Sequence, residues 1–193
     1  MKSKFWVYGR LLLIAASLCL TAYNLWDEKR AGDSAEELLL QYQVLKFEIQ
    51  DLELEEAEAS DSEMADVEID SRRYVGILEI PSLGIILPVM KEWSYAALKE
   101  APCRYQGSVS QDDMIIAGHN YRFHFGGLHK LKAGDGVIFT DVEDNRFEYQ
   151  ITEVVRLEGS DVEKMESGNW DLTLFTCTTD GQNRVTVRCR RAE

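Results

Sequence analysis

The hydrophobic rhythm of the chain changes twice. Residues 5–26 are almost continuously apolar, with Arg10 the one charge in 22 positions. About 20 apolar residues suffice to carry an α-helix across a bilayer. Trp6, Tyr8, Tyr23 and Trp26 lie toward the two ends, where amphipathic rings favour the interface. Arg10 is close enough to the N-terminal edge to extend its charge into that interface. A helical rhythm follows: Leu38, Tyr42, Leu45, Ile49 and Leu52 recur at spacings of 4, 3, 4 and 3. This predicts one apolar helical face. Ser34, with Glu37 three residues on, offers a capping box at its start. Over residues 53–70 the apolar positions thin and acids dominate, which predicts disorder.

From Arg73 the rhythm shortens to β-prone runs broken by turns. Strands are expected at 74–80, 85–89, 114–118, 136–140, 146–156, 172–177 and 184–190. Ile80-Pro81-Ser82-Leu83-Gly84, the stretch 141–145, and Thr179-Asp180-Gly181-Gln182 read as turns. Short helices are expected at 95–100 and 125–131. Seven or eight short strands with turns between them predict a mostly β sandwich or closed barrel. The chain then divides into 1–26, a cytoplasmic tip and membrane anchor; 27–72, an acidic and partly helical connector; and 73–193, the β domain.

Charge sharpens this division. The net charge is −13, but residues 1–26 carry +3, residues 27–70 carry −13 and residues 71–193 only −3. The acidity belongs to the connector. No basic stripe is available for a nucleic-acid backbone, so that class of partner is set aside. Lys2, Lys4 and Arg10 precede the apolar core while Asp27 and Glu28 follow it. The excess of positive charge on the cytoplasmic side puts the β domain outside the cell. A cleaved signal peptide is the competing reading. The residues after the core, Thr21-Ala22-Tyr23-Asn24-Leu25-Trp26, are bulky and offer no clear small-x-small cleavage site. Both readings place the β domain outside the cytoplasm. The connector reads as a stalk with a helical section. Self-association through residues 38–52, or docking of that helix on the β domain, is the alternative.

Four cysteines bear on the chemistry: Cys19 in the apolar stretch, and Cys103, Cys177 and Cys189 beyond it. Three outside the membrane is an odd number, and a bridge between Cys103 and Cys189 competes with two free thiols. Cys177 ends the run Thr173-Leu174-Phe175-Thr176-Cys177, and Arg184 opens the next strand across a tight turn. A thiol is nucleophilic as its thiolate, and a nearby cation favours that form. A small buried hydrophobe is the plainer reading of such a cysteine. Arg184 also has a plain reading, as one of several surface cations with Arg188, Arg190 and Arg191. His119 ends another β-run, at Ile115-Ile116-Ala117-Gly118-His119. His119, His124 and His129 are five apart, which is not the spacing that sets two ligands on one helical face. No acid or cysteine stands beside them at zinc-ligand spacing, so no metal site is expected.

Taken in order, these pieces resemble the sortases, cysteine transpeptidases of mainly Gram-positive bacterial surfaces. Thr173-Leu174-Phe175-Thr176-Cys177 resembles their TLxTC motif, and Arg184-Val185-Thr186-Val187 the R-x-x-V strand that follows. Gly118-His119-Asn120 resembles the histidine segment, with Phe125-Gly126-Gly127-Leu128 matching an F-x-x-L stretch downstream. Gly134-Asp135 and Phe147-Glu148-Tyr149 are also similar. The resemblance spans residues 73–193 and suits an N-terminal anchor.

It implies an eight-stranded closed β-barrel with short helices. It further implies attack by Cys177 on a Leu-Pro-x-Thr-Gly-type sorting signal of a secreted protein, cleaved between Thr and Gly. An acyl-enzyme would form, to be resolved by an amine such as that of a cell-wall precursor. His119 would be general acid and then general base, and Arg184 would stabilise the oxyanion. No cofactor is implied. Val162, Met165 and Trp170, in the segment before the TLxTC run, are candidates to line the signal groove, with Thr176. Simple loop packing is the alternative for the first three. The chain shows no Asp-Pro-Trp lid motif before its first strand and ends at Glu193 without a second apolar helix. Both departures point away from the lid-bearing pilus class C and toward anchoring, in a class D-like or class B-like enzyme. A non-catalytic extracellular module and a hydrolytic cysteine peptidase are the alternative functions.

Overall fold

Strand patterning closes the β domain on itself. In this computed structural model, which describes residues 2–50 and 64–192, nine strands form one sheet. They are β1 (Val67–Ile69), β2 (Arg72–Ile80), β3 (Ile85–Met90), β4 (Cys103–Gln106), β5 (Met114–Ala117), β6 (Gly136–Asp141), β7 (Arg146–Glu158), β8 (Leu172–Cys177) and β9 (Asn183–Arg191). Their order is β1-β2-β3-β4-β5-β8-β9-β7-β6, and β2 pairs again with β6. That last pairing closes an eight-stranded barrel from β2 to β9, with β1 added along the free part of β2. Closure leaves the barrel without the unpaired edges that invite aggregation. The expected mostly β, eight-stranded barrel is what the chain forms.

The interior is apolar because each strand turns one side chain in two toward it. Leu78, Ile80, Met114, Ile116, Phe139, Leu172, Leu174 and Val187 are fully buried in one cluster, and Cys189 joins them. A second, smaller cluster gathers Ile69, Tyr74, Met90, Ala97, Ala101 and Cys103. The two cysteines open to a bridge thus lie in different clusters, and both are free thiols.

Several elements differ from expectation, each for a tertiary reason. Residues 64–70, expected to be disordered, are ordered. Asp66 accepts hydrogen bonds from Arg73 Nε (2.5 Å) and from the buried Lys91 Nζ (2.8 Å), and β1 pairs with β2 beside them. Burial alone would raise the Asp66 pKa; the bonds and charges of Lys91 and Arg73 outweigh it and hold the carboxyl below its ordinary range. β4 carries no clear apolar alternation and is made a strand by pairing with β5 and β3. Between β7 and β8 a five-residue helix, α2 (Val162–Glu166), interrupts what reads as loop. The two short helices expected before and after β5 are 3-10 turns at Ala97–Lys99 and Phe125–Lys130.

The N-terminal quarter is one helix, α1 (Lys2–Gln50). It passes through residue 34 without a break, so no capping box starts a helix there. Tyr8–Arg30 within it is long and apolar enough to cross a membrane by length and composition. Its large apolar side chains from Leu11 to Trp26 are exposed. α1 also packs on β3. The side chains of Leu38, Tyr42, Leu45 and Ile49, and the whole of Leu52, lie outside the described residues. So does the rest of the proposed disordered tract, at 53–63.

Candidate active site

β8 and β9 form an antiparallel hairpin whose register sets Cys177 directly opposite Arg184. Alternation gives the hairpin two faces. Leu172, Leu174, Val185, Val187 and Cys189 turn into the barrel. Thr173, Phe175 and Cys177 turn outward, and Cys177 is exposed at the strand's end. The other two thiols of the β domain are buried. Burial pushes both Cys103 and Cys189 up to about 12. A thiol at that pKa is almost wholly protonated at neutral pH.

His119 lies just past the end of β5, which pairs in parallel with β8. Met114 pairs with Leu172 and Ala117 with Phe175, a constant offset of 58 residues. The pairing outlasts the strand. The Gly118 N–H donates to the Phe175 carbonyl at 3.0 Å, and the buried Thr176 Oγ1 donates to the Gly118 carbonyl at 2.8 Å. His119 follows two residues after Ala117, the last paired residue of β5, as Cys177 follows two after its partner Phe175. Thr176, a candidate groove residue from the sequence, is therefore buried and clamps the histidine segment from beneath. Gly118 permits this closeness, because a Cβ there would lie 2.3 Å from the ring of the fully buried Phe125. Phe125 also donates its N–H to the His119 carbonyl at 3.1 Å. The His segment and the F-x-x-L stretch are thus two sides of one packing contact.

The His119 imidazole is half-buried and stacks on Tyr121, with ring centroids 3.8 Å apart and planes 20° apart. Burial lowers its proton affinity below the ordinary value; the Asp27 carboxylate opposes this and Lys99 adds to it. His124 and His129 point to other tasks. His124 is fully buried against Tyr121, and His129 Nδ1 lies 2.9 Å from the Gly126 carbonyl.

The neighbouring cations separate in the folded chain. Arg188 is taken up by Glu153, the Lys164 carbonyl and the face of Trp170. Arg190 pairs with Asp171, and Arg191 with Asp112. Arg184 instead sends Nη1 to the carbonyls of Gly181 in the turn (3.3 Å) and Asn183 at the start of β9 (3.2 Å). Its guanidinium also borders a cavity of about 260 Å³ on the outer face of the hairpin. Val162 and Met165 of α2 line that cavity with Trp93, Tyr105 and Phe175. Trp170 sits elsewhere, with the guanidinium groups of Arg188 and Arg190 5.4 and 4.9 Å from its ring centroid. The wall of Trp93, Tyr105 and Phe175, whose rings meet edge to face at 5.8 and 5.5 Å, was not singled out in the sequence. The available signal was the aromatic pair Trp93-x-Tyr95 in a stretch with no core to fill. Glu166 of α2 accepts a hydrogen bond from Tyr105 at 3.1 Å and so ties α2 to this wall.

A family model described as the sortase domain matches residues 78–192. The chain belongs to the sortase family. This sortase is similar to sortase A of Bacillus anthracis, 29% identical over 127 residues that cover 62% of this chain and 60% of that protein. It is equally similar to sortase A of Listeria monocytogenes serovar 1/2a, 29% identical over 114 residues covering 56% of this chain and 51% of that one. The sortase thus spans 60% or less of the length of these curated relatives. Among solved structures it superposes on sortase C1 from Streptococcus agalactiae with a TM-score of 0.57 at 27% identity, covering 65% of this chain and 71% of that one. A Clostridium perfringens sortase D5 transpeptidase gives the same TM-score, 0.57, at 18% identity, covering 83% and 97%; that likeness is one of fold.

Proposed function

We propose that this sortase is a membrane-anchored cysteine transpeptidase. The observation that carries the reading is an exposed thiol with a cation directly across the hairpin, on a strand whose parallel partner β5 leads into the histidine segment. Family membership supports the reaction class, and the apolar stretch Tyr8–Arg30 supports the anchor, with the N-terminus cytoplasmic and the barrel outside.

In this reading a sorting signal of Leu-Pro-x-Thr-Gly type lies in the aromatic-walled groove, with its Thr carbonyl at Cys177. The thiolate attacks the carbonyl carbon, and the electron pair of the C=O moves to oxygen. Arg184 stabilises that oxyanion, an interaction strengthened only as charge develops. His119 then gives its proton to the nitrogen of the breaking Thr–Gly bond, which leaves as an amine and a thioester remains. An acceptor amine, such as that of a cell-wall precursor, attacks the thioester while His119 takes its proton. The C–S bond breaks and the thiolate returns.

The test is cleavage of a fluorogenic sorting-signal peptide with and without an amine acceptor. Cys177→Ala is expected to abolish cleavage, and added amine is expected to divert acyl-enzyme from hydrolysis to a ligated product. Undiminished cleavage by Cys177→Ala ends the reading. Cleavage that never yields a ligated product makes the protein a peptidase instead.

A further inference from the structure

The loop that follows His119 is bonded to α1. Tyr121 Oη donates to Asp27 Oδ2 at 2.6 Å, and the Arg122 N–H donates to Glu28 Oε1 at 2.9 Å. One helical turn beyond Glu28, Gly32 faces Phe123, and a Cβ there would lie 2.9 Å from that ring. Three consecutive loop residues thus rest on one short stretch of α1. Asp27 and Glu28 fall in the last turn of the apolar stretch Tyr8–Arg30, so this side of the barrel is held at the end of the membrane segment.

Tyr121 joins that contact to the site. One part of it reaches Asp27, while its ring stacks on His119 and meets His124 at 66°. His119 Nδ1 is buried and makes no hydrogen bond to any described residue. In cysteine–histidine sites the imidazole is ordinarily oriented by a third group. Here the adjacent group is the tyrosine ring, and the ring is fixed from α1.

We propose that Tyr121 is a positioning residue for His119 and that Asp27 sets Tyr121, so that the membrane helix completes the catalytic site. The inference rests on the transpeptidase reading. Without α1 the barrel keeps Cys177 and Arg184, which depend on β8 and β9 alone, but loses the clamp on its histidine. The Tyr121 hydroxyl stays a donor throughout the working range, because burial and then the bond and charge of Asp27 push its pKa up to about 12. The charged groups facing His119 are Asp27 from α1 and Lys99 from the 3-10 turn before β4; Arg30 faces Tyr121.

The full chain in lipid nanodiscs carries the test, with a fluorogenic sorting-signal peptide and an amine acceptor. Tyr121→Phe removes the hydrogen bond and keeps the stacked ring; Asp27→Ala removes the same bond from the other side. Each is expected to lower kcat roughly tenfold with the peptide KM unchanged, and the double variant no further. Tyr121→Leu, which also removes the ring, falls further, and Asp27→Asn, which retains an acceptor, keeps most of the activity. Loss of the Asp27 charge moves the NMR titration of His119 to lower pH. Wild-type kcat in both Tyr121→Phe and Asp27→Ala overturns the proposal, and so do losses that multiply in the double variant. The titration needs no turnover. A shifted His119 midpoint together with cleavage that ignores Cys177→Ala sinks the transpeptidase reading and leaves the coupling standing.

Discussion

The two faces of the β8–β9 hairpin are built from the same twelve or so residues and do opposite work. The inner face, Leu172, Leu174, Val185, Val187 and Cys189, is closed and dry. The outer face carries Phe175 and Arg184, which line the groove, and the exposed Cys177 at its strand end. Cys189 and Cys177 make the contrast plainest. One thiol is buried among aliphatic side chains and raised to about 12; the other is exposed opposite a guanidinium. The burial of each thiol follows from which way its side chain points, because a strand reverses direction at each residue. The difference teaches that one hairpin can fill the barrel core with one face and line a groove with the other.

The largest expected effect is on thiol reactivity. In a Cys19→Ala background at neutral pH, iodoacetamide is expected to label Cys177 more than about 10³-fold faster than Cys103 or Cys189. Mass spectrometry of native and unfolded protein reads this directly; comparable labelling of all three in the native state breaks the contrast. Next, Leu174→Ala on the inner face should cost about 2–5 kcal/mol of stability, seen as a fall in Tm. Cys177→Ala on the outer face should leave Tm nearly unchanged. Arg184→Ala reverses that pattern: an activity loss of about 10²–10³ in kcat with little change in Tm. Arg184→Lys should recover only part of it, because an ammonium cannot reproduce the planar fork.

The smallest expected effect is on pH-dependent stability. His119 has a lower proton affinity in the folded chain than in the unfolded one, where its pKa is about 6.5. The unfolded state therefore binds the proton first as pH falls, so stability is retained above about 6.5 and declines below it. The decline should be shallower in His119→Gln. Asp66 has the same sign but acts lower, since its carboxyl is held below the ordinary range and titrates only near pH 4 and beneath. Thermal melts between pH 7.5 and 5.5 isolate the histidine; identical slopes for wild type and His119→Gln remove its claimed burial cost.

Much of this hairpin was legible along the chain. The alternation in 172–177 and 184–190 predicts both strands within one residue of their ends. The turn residues between them predict the hairpin, and so the pairing of Cys177 with Arg184. The plain reading of Arg184 as one more surface cation was equally open, and packing separated it from Arg188 and Arg190. Trp170 reads as a groove residue by its place in the chain, yet it packs against the guanidinium groups of Arg188 and Arg190 and does not line the cavity. β1 and β4 could not be read, because neither has a pattern of its own and each owes its form to a neighbouring strand.

What the sequence alone determined was local: the apolar stretch near the N-terminus, the strand rhythm of the barrel, and the presence of a thiol, an imidazole and a guanidinium at strand ends. Those depend on residue type and on spacing over a few positions. What only the tertiary structure decided was adjacency across long separations. The parallel pairing of β5 with β8 brings residues 58 apart in the chain side by side. The contact of Asp27 with Tyr121 spans 94. Neither separation leaves a periodic trace, because chain connectivity places no constraint on such contacts; closure of the barrel and packing of α1 against it do.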